Sequence, residues 1–447
     1  MSVSPRLRIA LFGLAVGIVL ADSSVVTIAL PEILARYDVD VETLAWALTS
    51  FNLGLAVAAL PAAYVARPRP RPIFATGVVV FASASIMCAV APSFAVLVAA
   101  RAVQGIAGAA VVCAALDFLI AATPTSARAV RLWALAGILG AALGPAAGGA
   151  LTQLVGWEAI FAVQAPLMVV TLAALAGVRL APPLRPAGRP HLGANAALML
   201  VSGALVAALF LLVILLINGW RLEPLVAAAV VTVMPIAALV AVRFGPAITH
   251  LWARAASGAI LISGGLAALA WLPEAGAAWT IPPQLAVGAG LGLALSALTE
   301  RALAGRPSPA IHGGWTIAAR HAGVVLGLLV LTPIFTTDLE QARDEALAAG
   351  TSFVLDSRVP PREKIGIARD ILVAVDEADE EARVPDVAEI VSDRGDDRAH
   401  ADLAGALQEQ LDRAATNAFS RSFLVAALIA LAALVPILFG RREAVPE

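Results

Sequence analysis

Twelve stretches of this 447-residue sequence are each long and apolar enough to cross a bilayer. They run over 9–31, 44–66, 73–92, 94–122, 132–155, 158–178, 194–218, 223–242, 256–273, 281–299, 312–336 and 419–440. A hydrocarbon core about 30 Å thick needs about 20 apolar residues at 1.5 Å of helical rise each. Backbone groups inside it must be satisfied within the segment, so each stretch reads as a helix. The fold class expected is therefore an all-α membrane protein with twelve transmembrane helices. Composition agrees: 60% of residues are hydrophobic and 14% charged, where soluble domains carry about 25% charge. The first stretch is too long for a signal peptide, contains Asp22 and lacks an A-x-A cleavage site, so it reads as a retained helix.

The stretches fall into two sets of six, separated by a Pro/Arg linker at Arg179–Pro190. Two six-helix halves around a central site are a recurring transporter plan. The expected organisation is a first half at 1–178, a linker at 179–193, and a second half made of 194–337 with 419–447. An inserted segment at 338–418 precedes the last helix. That segment holds 20 of the 32 acidic residues and only 9 of the 30 basic ones. It reads as partly amphipathic helix through Ile365, Ile367, Ile371, Leu372 and Val375, with breaks at Pro360-Pro361 and at the Asp393–Arg398 charge run.

Arginine placement orients the chain. Alternate loops hold Arg6 and Arg8, then Arg67, Arg69 and Arg71, and on to Arg441 and Arg442; the opposite short loops hold only Arg36 and Arg221. Basic loops stay in the cytoplasm. Both termini are thus expected there, in a bacterial plasma membrane, with 338–418 as an acidic extracytoplasmic loop domain. It reads as a solvated cap or partly disordered loop, or as a docking platform for a protein partner or substrate.

Charges inside spans are costly, so Asp22, Arg101, Asp117 and Arg320 are the functional suspects. Asp22 lies about 21 Å beyond Arg8, and Arg101 about 12 Å beyond Ser93 on a helix running the other way. Those depths coincide, so the two can pair. Either the pair couples a proton or substrate, or it fixes helix one to helix four. Asp117 falls about 24 Å below Arg101, level with Arg67, Arg69 and Arg71; an ion pair there is the leading reading, a second proton site the other. His321 reads as hydrogen-bonded packing, and Arg320 as bonded to a carbonyl or carboxylate. In the fifth span Gly137, Gly140, Gly144, Pro145, Gly148 and Gly149 give a small-residue face for close helix approach.

Several classes are excluded. The net charge is −2 and no basic patch is present, so no nucleic-acid partner is expected. There is no phosphate-binding loop, HExxH, CxxC or GxSxG pattern. Neither an enzyme nor a cofactor or metal site is expected. Cys88 and Cys113 both sit inside apolar runs.

These residues resemble a known family. Ala21-Asp22-Ser23-Ser24-Val25-Val26-Thr27-Ile28-Ala29-Leu30-Pro31 is similar to the first-helix motif of the drug:proton antiporter branch of the major facilitator superfamily. Arg101-Ala102-Val103-Gln104-Gly105 resembles its R-x-x-Q-G motif. Gly140 to Gly149 resembles its antiporter motif G-x-x-x-G-P-x-x-G-G. Gly156-Trp157-Glu158-Ala159-Ile160-Phe161 and Arg320-His321-Ala322-Gly323 fit further patterns. The likeness covers 10–170 well, 190–337 loosely and 338–418 not at all. One departure stands out: the gating loop between spans two and three has Ala66 where the family has Asp, and only Arg67 and Arg71 remain of its charges. Asp117 is the candidate to take over that latch.

The resemblance implies a proton-coupled exporter of lipophilic or amphipathic small molecules working by alternating access. Asp22, Arg101 and Asp117 would couple protons, and Asp22, Asn52 and Gln104 would line the substrate cavity. The partners implied are a lipophilic substrate or lipid, protons and membrane lipids, with the chain a monomer. Two alternatives stand beside it: a lipid or glycolipid exporter of the same fold, and a non-transporting scaffold or sensor using 338–418.

Overall fold

The computed structural model describes residues 4–178, 180, 188–303, 305–306, 308–357, 359–380, 387–392 and 398–440. Arg179, Arg185, Arg441, Arg442 and most of the Asp393–Arg398 charge run lie outside them. Every regular element among the described residues is helical, and twelve helices are long and apolar enough to cross a membrane.

The first six are α1 (Pro5–Tyr37), α2 (Trp46–Ala66), α3 (Pro70–Ala89), α4 (Phe94–Ala122), α5 (Ser126–Leu154) and α6 (Glu158–Val170), the last continuing as a 3-10 turn to Leu175. Then follow α7 (Leu192–Ile214), α8 (Pro224–Phe244), α9 (Leu251–Ala270), α10 (Ala277–Leu303) and α11 (Pro309–Asp356). Side-chain caps start several of them. Ser4 accepts from Leu7 N ahead of Pro5, Ser93 from Val96 N, and Thr125 from Arg128 N.

The eleventh helix differs from the expected boundary at 337. It runs on without a break for 48 residues, because nothing between Thr337 and Asp356 interrupts helical geometry. Beyond it come α12 (Pro361–Glu380), α13 (Val387–Ser392), α14 (Arg398–Ala418), α15 (Ser420–Ala432) and α16 (Leu434–Gly440), the last two completing the twelfth span. Val354, Val359, Ile367, Val387, Val391, Leu403 and Leu407 form a small apolar core of their own, apart from the large core of the spanning helices. Trp220 Nε1 donates to Thr416 Oγ1 (3.1 Å) and Arg221 Nη1 to Gln408 Oε1 (3.2 Å), which anchors α14 beside the turn between α7 and α8.

Helix pairing repeats along the chain. In the first set α1 packs on α5, α2 on α4, and α3 on α4 and α6; in the second, α7 packs on α11, α8 on α10, and α9 on α10 and α15. The two sets meet chiefly through α2 against α11 and α5 against α8. Small residues make the crossings close. A Cβ on Gly140 would run into the Gly17 carbonyl, and one on Gly323 into that of Met199. With lipid outside, packing of this kind takes the place of a hydrophobic driving force between helices.

Candidate functional site

Asp22 sits on α1 and Arg101 on α4, both fully buried, and they form an ion pair through Arg101 Nη1 and Asp22 Oδ2. The same nitrogen donates to Gln104 Oε1 (2.7 Å), one helical turn on. Arg101 Nε donates to the Ala47 carbonyl of α2 (2.9 Å). The guanidinium lies over the Phe51 ring at 4.3 Å and the Phe161 ring at 5.6 Å. Gln104 Nε2 donates to Ser85 Oγ of α3 (2.8 Å) and to Gln164 Oε1 of α6 (2.9 Å). Gln164 Nε2 donates in turn to the free oxygen of Asp22, Oδ1 (3.0 Å). The result is a closed ring of Asp22, Arg101, Gln104 and Gln164 that ties together α1, α4 and α6, with side links to α2 and α3.

The ring answers an energetic problem. A buried ion pair loses hydration worth several kcal/mol per ion, which the pair offsets only when the remaining lone pairs are bonded. Here both carboxylate oxygens of Asp22 have donors. The ring therefore holds the Asp22 carboxylate through donors on α4 and α6 at once. Gln164 and Ser85 were not singled out by the sequence reading. Gln164 carried a signal: it is the one polar side chain in the apolar run Ala159–Val170.

A second polar contact crosses from the first set of helices to the second. Asn52 Nδ2 donates to the Leu48 carbonyl (2.8 Å), which fixes the amide with Oδ1 free to accept. Asn52 Oδ1 lies 2.7 Å from His321 Nδ1 of α11, so Nδ1 carries the proton. Asn52 Nδ2 also donates to Ser23 Oγ (3.2 Å), beside Asp22. Asp22, Asn52 and Gln104, expected to line a cavity, have no exposed surface here.

The glycine-rich stretch of α5 faces α1. Gly140 meets Gly17, Gly144 meets Ser24, and Gly148 meets Val25, while Gly149 turns to Ala228 of α8. Pro145 has no N–H for the Ala141 carbonyl one turn back. Ser24 Oγ reaches that carbonyl from α1 at 3.3 Å. The same hydroxyl lies nearer the Ala21 carbonyl of its own helix (2.8 Å), so its one proton is shared between the two.

Two expectations are corrected. Asp117 makes no ion pair among the described residues, although Arg67 is its electrostatic neighbour. Arg71 instead donates to the Leu175 carbonyl (2.7 Å), because the end of α6 lies closer to it. Asp117 is also not joined to the Asp22 ring. Arg320 was expected to bond a carbonyl or carboxylate; among the described residues it bonds neither.

Residues 12–332 match the Major Facilitator Superfamily. The multidrug resistance protein Stp of Mycobacterium tuberculosis is 31% identical over 164 residues, 36% of this chain and 30% of that protein. The drug efflux pump JefA of the same species is 30% identical over 179 residues, 39% of this chain and 35% of that one. The cephamycin export protein CmcT of Amycolatopsis lactamdurans is 29% identical over 191 residues, 42% and 39% of the two chains. The alignments therefore span only about a third of the length of these relatives. Among solved structures, a bacterial homologue of the human lysosomal transporter Spinster, inward-facing and unoccupied, superposes with a TM-score of 0.66 at 15% identity over 98% of each chain, a likeness of fold. By its matched length and its twelve-helix fold, this chain belongs to the Major Facilitator Superfamily.

Proposed function

We propose that the protein is a proton-coupled exporter of lipophilic or amphipathic small molecules. In this reading it lies in the bacterial cytoplasmic membrane with both termini inside. The two sets of six helices rock as two bodies, and α12 to α14 stand on the outer side. The observation that carries the proposal is the closed ring at Asp22. A carboxylate whose two oxygens are held by donors on α4 and α6 changes its proton affinity when those helices move. Asp22 is the proton-binding group, Arg101 its counter-ion, and Gln104 and Gln164 set their geometry. The drug efflux of JefA and the cephamycin export of CmcT support the direction of transport.

The test is proton movement in everted vesicles that hold a set pH gradient. Lipophilic compounds are added singly to vesicles with wild type or Asp22→Asn. The expected result is collapse of the gradient on adding a substrate, lost in Asp22→Asn. Collapse that survives the substitution would move the proton away from Asp22. No collapse with any compound would remove proton coupling from the proposal.

A further inference from the structure

The arginines that sit within the spanning helices, buried or half-buried, differ in one respect. Arg101 is paired with Asp22, Arg254 bonds Glu300 (2.7 Å), and Arg301 donates to His191 Nε2 (2.9 Å) and to the Gly440 carbonyl. Arg320 has neither a hydrogen bond nor an ion pair among the described residues, and its Nε is fully buried and unpartnered. The Nε2 of the adjoining His321 is likewise buried and unpartnered.

Position makes this more than an oversight of packing. Arg320 lies 11 residues into α11, about 16 Å along it, near the middle of the hydrocarbon core. His321 ties that level to Asn52, and Asn52 ties it to Ser23 beside Asp22. Gly313, Arg320 and Gly327 are spaced by seven and share one face of α11. Gly313 packs against Leu116 of α4, and Gly327 against Gly203 of α7. The face of α11 that carries Arg320 thus lies toward α4 at one end and α7 at the other, and His321 sets it level with the Asp22 ring.

A guanidinium cannot shed its charge by deprotonating. In a membrane interior a charge without a partner is expensive. At this level the carboxylate of Asp22 is already held on both oxygens, so a cation would find no free acceptor there, whereas an anion would find Arg320. The fork of N–H groups fits a carboxylate or phosphate. Ile317 and Val324, one turn to either side, are buried and apolar. We propose that Arg320 receives the carboxylate or phosphate of an amphipathic anion whose apolar body lies between α4, α7 and α11. The anion site stands on Arg320 alone; calling its occupant the exported substrate rests on the exporter reading.

Binding to the purified full-length protein in neutral detergent tests the site without any gradient. The probes are dansylaminoundecanoate and its methyl ester, which differ only in the charge. Wild type is expected to bind the acid about tenfold to a hundredfold tighter than the ester, the range of one charge-assisted contact. Arg320→Gln is expected to lose that preference and keep the ester affinity, while Arg320→Lys keeps part of it. Equal affinities in wild type overturn the site, and that comparison needs no variant to fold. A preference that survives Arg320→Gln overturns it too. Displacement of the acid by phosphatidylglycerol would assign the anion to a membrane lipid head group; export of the acid from vesicles would assign it to cargo; either keeps the site. An acid preference without any gradient response leaves the site standing and removes proton coupling. Gradient collapse by neutral compounds without acid preference does the reverse.

Discussion

Gln164 closes the ring at Asp22, and its replacement separates two effects that Asp22→Asn merges. Gln164→Leu leaves Asp22 Oδ1 without its side-chain donor and takes one acceptor from Gln104 Nε2, with the ion pair intact. A buried polar atom left unsatisfied costs about 1–3 kcal/mol. The expected result is lower thermal stability in detergent by that order, together with a pH dependence of gradient collapse displaced from that of wild type. Gln164→Asn, shorter but still an amide, should recover part of both. An unchanged pH profile in Gln164→Leu would make the residue a packing element only. The corrections at Asp117 and Arg320 belong to the same scale. Depth along a helix was legible from residue counts, and it paired Asp22 with Arg101. Rotation about each helix axis was not, and it decides whether a side chain at the right depth points at a partner.

At the scale of elements, α1 and α5 show how a sequence pattern becomes a contact. Gly140, Gly144 and Gly148 recur every four residues, so they lie along one face, and that face is the one laid on α1. The glycines of this helix are not equivalent. A Cβ on Gly140 would strike the Gly17 backbone, whereas one on Gly137 would meet Leu20 Cδ1 (2.6 Å), the far end of a flexible side chain. Gly140→Ala should therefore lower thermal stability by about 1–3 kcal/mol, the usual cost of overpacking, and Gly137→Ala should leave it nearly unchanged. Equal effects would mean that α1 and α5 slide apart readily. Ser24→Ala is a further check on the same contact, because it removes the hydroxyl shared between the Ala21 and Ala141 carbonyls.

For the whole molecule, the two sets of helices touch at both ends of the bundle. At the end where the chain begins, a Cβ on Gly314 of α11 would come within 2.7 Å of Ala63 Cβ of α2. At the other end, Gly149 of α5 abuts Ala228 of α8, and Gln153 Nε2 donates to Glu223 Oε2 (3.2 Å). Alternating access requires each contact to part in turn. Cysteine pairs at Ala63 with Gly314, or at Gly149 with Ala228, would bridge once the helices part by about 1 Å, since disulfide Cβ atoms sit about 3.8 Å apart. With Cys88 and Cys113 replaced by Ala, each bridge is expected to stop transport under oxidation and release it on reduction. Transport through either bridge would sink the rocking of two rigid bodies.

Twelve helices, their order and their approximate ends follow from the sequence by itself. The bilayer demands about 20 apolar residues per crossing, and that demand acts locally on each stretch. The glycine face of α5 and the shared depth of Asp22 and Arg101 were legible for the same reason, since both depend on the geometry of single helices. The tertiary structure alone decided the rest. It brought Gln164 and Ser85 to the ring, left Asp117 near Arg67 without an ion pair among the described residues, and carried α11 on past residue 337. It also left Arg320 without a partner. Each of these depends on how helices far apart in sequence are turned toward one another, and that rotation is fixed by packing against neighbours that no local pattern names.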